Sequence, residues 1–223
     1  MRAVKILGAA FLAVLALSAF LAAAASAALP EFEPGKEKTT FTIAGGAGEL
    51  AVEGQIPVAC KATEGSGEIV GTTKKLAVST LTFTGCTALG FIGAHSLGDP
   101  EGTIKTKVHL LLCYIKKGSP LEVGVLTKIL SADPEDKVEE VHIEVAGKLL
   151  MVKGDQVGKI TPLKTATTKF TIEFKQKGAL PIPTGCEGQT EEYEAQINEG
   201  PAVMAAKSGT VTVTFAVAQI ILE

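Results

Sequence analysis

Apolar and polar residues along this chain alternate mainly with a period of two, carried by Thr, Val, Ile and Phe with glycine between the runs. In Thr210-Val211-Thr212-Val213-Thr214-Phe215 the alternation is strict, which predicts a strand with one wet and one buried face. The same pattern predicts strands over 39–43, 49–52, 56–60, 77–83, 103–115, 121–130, 139–145, 170–174 and 210–222. Gly46-Ala47-Gly48, Gly65-Ser66-Gly67, Leu97-Gly98-Asp99-Pro100, Lys117-Gly118-Ser119-Pro120 and the run from Ala132 to Asp136 read as turns between them. No capped helical segment occurs after residue 28. The expectation is an all-β, antiparallel sandwich or barrel, closed enough to protect its edges.

The first 27 residues break this pattern. Arg2 and Lys5 form a positive start, Ile6 to Leu21 an unbroken apolar run, and Ala22 to Ala28 a small-residue stretch around Ser26. That order predicts a secretory signal helix over 1–27, cut after Ala27, and an exported β-rich domain over 28–223. The alternative is an uncleaved anchor, because Ile6 to Ala28 is close to the roughly 20 residues that span a bilayer. No second long apolar run exists, so no membrane span is expected in the mature chain. The address is therefore the extracellular space or the cell envelope, with an envelope component or a protein as the expected partner.

The chain has 223 residues with 21 basic against 24 acidic side chains. Removing Arg2 and Lys5 with the leader leaves 19 basic against 24 acidic, a net charge of −5. An electrostatic nucleic-acid binder needs the opposite sign, and a single-strand binder needs stacked aromatics that a chain without Trp and with only Tyr114 and Tyr193 lacks. The same poverty leaves a thin platform for sugars.

An exported chain meets an oxidising compartment, and this one carries Cys60, Cys86, Cys113 and Cys186. Two disulfides are expected. Three pairings exist, and sequence does not decide among them. The favoured one joins Cys60 to Cys86, which end neighbouring strand-like runs, and Cys113 to Cys186. A zinc site would need cysteines two to four residues apart, which do not occur.

Laying the chain over itself at an offset of 91 residues places Glu49 to Glu53 on Glu140 to Glu144, Gly67 and Ile69 on Gly158 and Ile160, and Thr80 to Phe83 on Thr171 to Phe174. An internal duplication would make similar halves over 38–130 and 131–223.

Candidate chemistry is sparse. Ala94-His95-Ser96-Leu97-Gly98 looks like a nucleophile elbow, and Asp133 or Asp136 and then His142 come in the order of a serine hydrolase. Pro100 stands where that fold needs a helix, and alternating βα units are absent, so the loop reads instead as a contact segment built on Phe91, Ile92, His95 and Ser96. His95, His109 and His142 lack metal-ligand spacing. Two acidic clusters, Asp133 to Glu140 and Glu187 to Glu194, raise a calcium-dependent adhesion module as a further alternative, although neither has the spacing that wraps an ion. No catalytic residue, cofactor motif or metal set is assigned, and the primary expectation is a non-enzymatic binding or structural module.

The Leu29-Pro30-Glu31-Phe32 start, Cys60-Lys61, Gly67-Glu68-Ile69 and Phe83-Thr84-Gly85-Cys86 together resemble a group of uncharacterised secreted bacterial β-rich proteins. The likeness runs on through Gly158 to Pro162 and to the last strand. It implies export, a β-rich fold and a Cys60–Cys86 bridge. Cys113 and Cys186 stand where other members often lack cysteine, which implies a second bridge gained as a pair. No activity or ligand comes with the group.

Overall fold

The computed structural model describes residues 29–33, 39–70, 76–130, 139–183, 185–187 and 192–222. The signal segment, Asp133, Glu135, Asp136 and Glu191 lie outside them. Among the described residues there is no helix, and so none long and apolar enough to cross a membrane.

The alternating runs become fifteen strands: β1 (Glu31–Glu33), β2 (Thr40–Val52), β3 (Val58–Cys60), β4 (Ala62–Val70), β5 (Leu76–Thr84), β6 (Thr87–Ala88), β7 (Ile92–Ser96), β8 (Thr103–Lys116), β9 (Glu122–Leu130), β10 (Glu140–Val145), β11 (Lys148–Thr161), β12 (Thr167–Lys177), β13 (Leu180–Ile182), β14 (Tyr193–Ile197) and β15 (Ala202–Leu222). All pairings among the described residues are antiparallel, and the neighbours close into two circuits. The first runs β2, β4, β5, β8, β9, β11, β12, β15 and back to β2. The second runs β2, β3, β6, β7, β10, β11, β14, β15 and back to β2. A closed circuit leaves few free N–H and C=O groups at sheet edges, so ring closure meets the need to protect edges.

Three long strands, β2, β11 and β15, belong to both rings and change neighbours partway. In β2, residues 40–45 face β4 and residues 48–50 face β3. In β11, residues 150–154 pair with β14, 155–159 with β9 and 159–161 with β12. Each ring draws strands from both 38–130 and 131–223.

Each ring has its own core. Alternate residues of β8 (Val108, Leu110, Leu112, Tyr114), together with Val125, Ile160, Phe170, Val213 and Phe215, fill the first. Phe32 from β1 stacks there against Phe170 and Phe215, at centroid distances of 5.8 and 5.3 Å. Val52, Val58, Cys86, Ala94, Ile104, Ile129, Val141, Ile143 and Val152 fill the second. Outside the first ring, Cys113, Leu126, Val157 and Cys186 form a small separate cluster.

Both disulfides take the favoured pairing, Cys60 with Cys86 and Cys113 with Cys186, and no cysteine is free. The first ties the end of β3 to the residue before β6, strands that already pair. The second fastens the segment after β13 to the outer face of β8. There the Glu187 N–H donates to the Tyr114 carbonyl at 2.7 Å, and Glu187 Oε1 accepts from the Lys117 N–H at 2.6 Å. Two bridges are compatible with an oxidising, extracellular location.

Three turn expectations need correction. Gly46-Ala47-Gly48 is the middle of β2, so the two short runs expected there are one strand. A Cβ on the adjoining Gly45 would sit 2.7 Å from Val211 Cγ1 and 2.9 Å from the Thr210 carbonyl; glycine here lets β2 and β15 approach at an irregularity of register. Gly65-Ser66-Gly67 likewise lies inside β4. The segment Ile92 to Ser96, expected as loop, is β7; Ala94 and Ser96 are buried on its inner face between β6 and β10.

Candidate functional site

The functional candidates at the elbow-like sequence are spread over β7 and its turns. Ser96 is buried, and its hydroxyl is used twice by one neighbour: Oγ accepts from the Lys105 N–H at 2.9 Å and donates to the Lys105 carbonyl at 3.2 Å. His142 Nε2 meets Glu140 Oε1 at 2.5 Å, and His95 Nε2 stands 3.9 Å from Glu144 Oε2. Neither histidine is hydrogen-bonded to Ser96 among the described residues, and His109 sits on β8 opposite Lys128. Phe91 is 77 % exposed on the β6–β7 turn beside exposed Leu89, whereas Ile92 is half-buried.

The acidic clusters meet cations of the chain itself. Glu139 lies 2.5 Å from Lys128, Glu187 Oε2 is 3.8 Å from Lys117, and Glu194 is 3.6 Å from Lys153. The hydrogen bond from Lys128 to Glu139 holds the Lys128 ammonium above its ordinary value. No group of three or more His, Cys, Asp or Glu able to hold a metal ion occurs among the described residues.

The feature that sequence reasoning missed lies where the two cores face each other. A cavity of about 110 Å³ is lined by side chains from both, including Ile43, Val108 and Phe174 of the first core and Ile129, Val141 and Val152 of the second. Its wall also includes exposed Gly46, Ala47 and Thr210, so it approaches the surface where β2 and β15 pass between rings. Protein interiors are normally packed tightly enough that few voids exceed a water molecule.

The cavity is almost wholly apolar, with a few polar groups in its wall. Thr127 on β9 is 2 % exposed, lines the cavity, and its Oγ1 has no hydrogen-bond partner among the described residues. Lys207 on β15 lays its ammonium over the Phe174 ring, 4.0 Å from the centroid. The residue keeps some accessible surface, yet desolvation of its ammonium lowers the Lys207 pKa from 10.5 to about 8. Burial likewise pushes the Tyr193 hydroxyl, also in the wall, upward. Glu49 is the other charged residue of the lining, and its Oε1 accepts from Gln176 Nε2 at 2.8 Å.

Gln156 holds the backbone of Lys207 behind this wall. It is fully buried on β11, opposite Thr127 of β9, in the stretch between the β14 and β12 pairings. Its Nε2 donates to the Lys207 carbonyl at 2.7 Å, and its Oε1 accepts from the Lys207 N–H at 2.8 Å. One side-chain amide thus replaces a missing strand, bonding the backbone of β15 between the strands that flank it on either side. Single buried polar residues of this kind carry no periodic signal, which is why the sequence pattern passes over them.

Unmet and desolvated groups in the wall have measurable effects on stability. Thr127→Val removes a buried hydroxyl without a partner while keeping its shape, so the empty protein is expected to gain about 1–2 kcal/mol in denaturant unfolding. Lys207→Met acts through linkage. Between about pH 8 and 10.5 the unfolded chain holds more proton at this lysine than the folded one, so native stability rises with pH across that window. The variant is therefore expected to be more stable than the parent near neutral pH, by about 2 kcal/mol after loss of the ring contact, with the difference vanishing above the window. Urea melts at two pH values would show it, and a gain that persists at high pH would contradict the assignment.

No family model, curated protein or solved structure matches the chain.

Proposed function

We propose that this protein is an exported, non-enzymatic binding module that holds a small apolar molecule between the two cores of a double β-ring. The observation that carries the reading is the apolar cavity of about 110 Å³ at the ring junction, with a buried, unpartnered hydroxyl in its wall. Small-molecule sites commonly take this form: a preformed apolar hollow with a few placed polar groups.

Export rests on the leader-like residues 1–27 and on two disulfides that suit an oxidising compartment. The resemblance to secreted β-rich proteins and the duplication at 91 residues belong to the same proposal. The exposed Phe91 and Leu89 turn is its surface for an envelope or protein partner. Double use of the Ser96 hydroxyl by Lys105 favours binding over hydrolysis. The lysines meeting Glu139, Glu187 and Glu194 favour it over calcium-dependent adhesion.

Thermal melts with toluene as an apolar probe test the reading. Toluene is expected to raise the melting temperature of the parent, because a ligand that binds only the native state stabilises it by mass action. Val108→Phe, which puts a ring into the cavity, is expected to lose most of that rise. An unchanged melting temperature in the parent would overturn the proposal, and so would an equal rise in both proteins.

A further inference from the structure

If the junction cavity is a binding site, as proposed for this protein, its walls also specify the chemical class of the ligand. The body of the ligand is bounded by size. An apolar cavity of 150 Å³ accommodates benzene, so about 110 Å³ holds a body of at most about six carbons, with any substituent directed toward the opening at Gly46, Ala47 and Thr210.

The charge of the ligand is set by what surrounds Lys207. The groups around it come from five strands. From β2 comes Glu49, whose carboxylate is engaged by Gln176; from β14 comes the Tyr193 hydroxyl; from β12, Phe174 under the ammonium; from β11, Gln156, whose amide is spent on the Lys207 backbone; and from β9, Thr127. Among the described residues no carboxylate lies within ion-pair distance of the Lys207 ammonium, which rests on the Phe174 ring. A cation taken partly out of water with no counter-charge is costly, and an entering anion removes that cost. Thr127, whose hydroxyl has no partner among the described residues, and Lys207 both line the cavity, and Gln156, opposite Thr127, holds the Lys207 backbone. A hydroxyl can donate to an oxygen anion as well as accept.

We infer that the junction cavity binds a small monocarboxylate: an aromatic ring or short aliphatic body fills the space between the cores, and its carboxylate pairs with Lys207, with Thr127 as the second polar contact. Lys207 is the one cation of the lining, and its single charge suits a monoanion. A phosphate would call for more positive charge, typically the fork of an arginine, and the whole chain has one arginine, Arg2.

Titration calorimetry of the purified protein near pH 7 with benzoate and with toluene, its neutral counterpart of similar shape, separates the ligand class from the existence of the site. Benzoate is expected to bind at least about tenfold more tightly than toluene, the scale of a charge-assisted contact. Lys207→Met should bring benzoate down to the level that toluene shows in the same variant. Should that variant fail to fold, the parent supplies the same information. Raising the pH to about 9.5 neutralises Lys207 and is expected to weaken benzoate, which stays ionised, by about tenfold with no effect on toluene.

If toluene binds and benzoate is no tighter, or if benzoate affinity ignores both Lys207 and pH, the inference is overturned while the binding module stands. If neither probe binds, both fail together.

Discussion

Replacing Cys113 and Cys186 together by alanine is expected to lower the melting temperature by on the order of 10 °C. The bridge closes a loop of 73 residues, the longer of the two covalent loops. On the chain-entropy account such a loop raises the free energy of the unfolded ensemble by about 4 kcal/mol, and a chain of this size moves by roughly 2–4 °C per kcal/mol. Packing adds to this. Both sulfur-bearing residues are buried against Leu126 and Val157 on the outer face of the first ring, and without the bridge the polar contacts that hold Cys186 and its neighbours there, among the described residues, are those of Glu187 with Tyr114 and Lys117. The 26-residue loop between Cys60 and Cys86 is worth about 3.5 kcal/mol on the same account, and its ends stay paired through β3 and β6 when the sulfurs are removed. Calorimetric melts of the two double-alanine variants compare them directly. A loss of less than about 2 °C at the 113–186 bridge would contradict the argument, as would a larger loss at 60–86.

Gln156→Ala is the second substitution expected to have a large effect, at about 3–5 kcal/mol. It removes both partners of the Lys207 backbone, leaving an N–H and a C=O without bonds in a buried seam, and it opens a space beside the existing cavity. A buried glutamine with a purely local role would cost far less, so the magnitude reports whether its amide substitutes for a strand. Gln156→Glu gives a check by chemistry: it keeps the acceptor for the Lys207 N–H, loses the donor to the carbonyl and brings a carboxylate to a fully buried position. Its stability is expected to recover partly as acid protonates that carboxylate and restores a donor, which Gln156→Ala cannot do.

Much of the wall construction was legible in the chain. The strict alternation from Thr210 to Phe215 marks the inner residues Val213 and Phe215, and the run from Thr103 to Ile115 marks Ile104, Val108, Leu110 and Leu112. The favoured cysteine pairing matches the two bridges. The strands passed over are glycine-rich or charged. In β4, Gly65-Ser66-Gly67 reads as a turn, whereas Gly65 serves close packing against β5: a Cβ there would meet the Thr80 carbonyl at 2.5 Å. In β11 the kink at Gly154, with φ +95°, interrupts the alternation where the strand leaves one ring for the other.

An antiparallel β protein with paired cysteines is written into the order of the residues, because strand alternation and turn chemistry are local and each residue votes with its neighbours. The closure of the strands into two rings sharing β2, β11 and β15, and the cavity where the cores meet, arise only in the folded chain. Ring closure depends on which strands find each other across more than a hundred residues, as β2 finds β15. The convergence of Thr127, Gln156 and Lys207 depends on β11 and β15 changing partners where β11 runs beside β9, and no spacing along a chain records that.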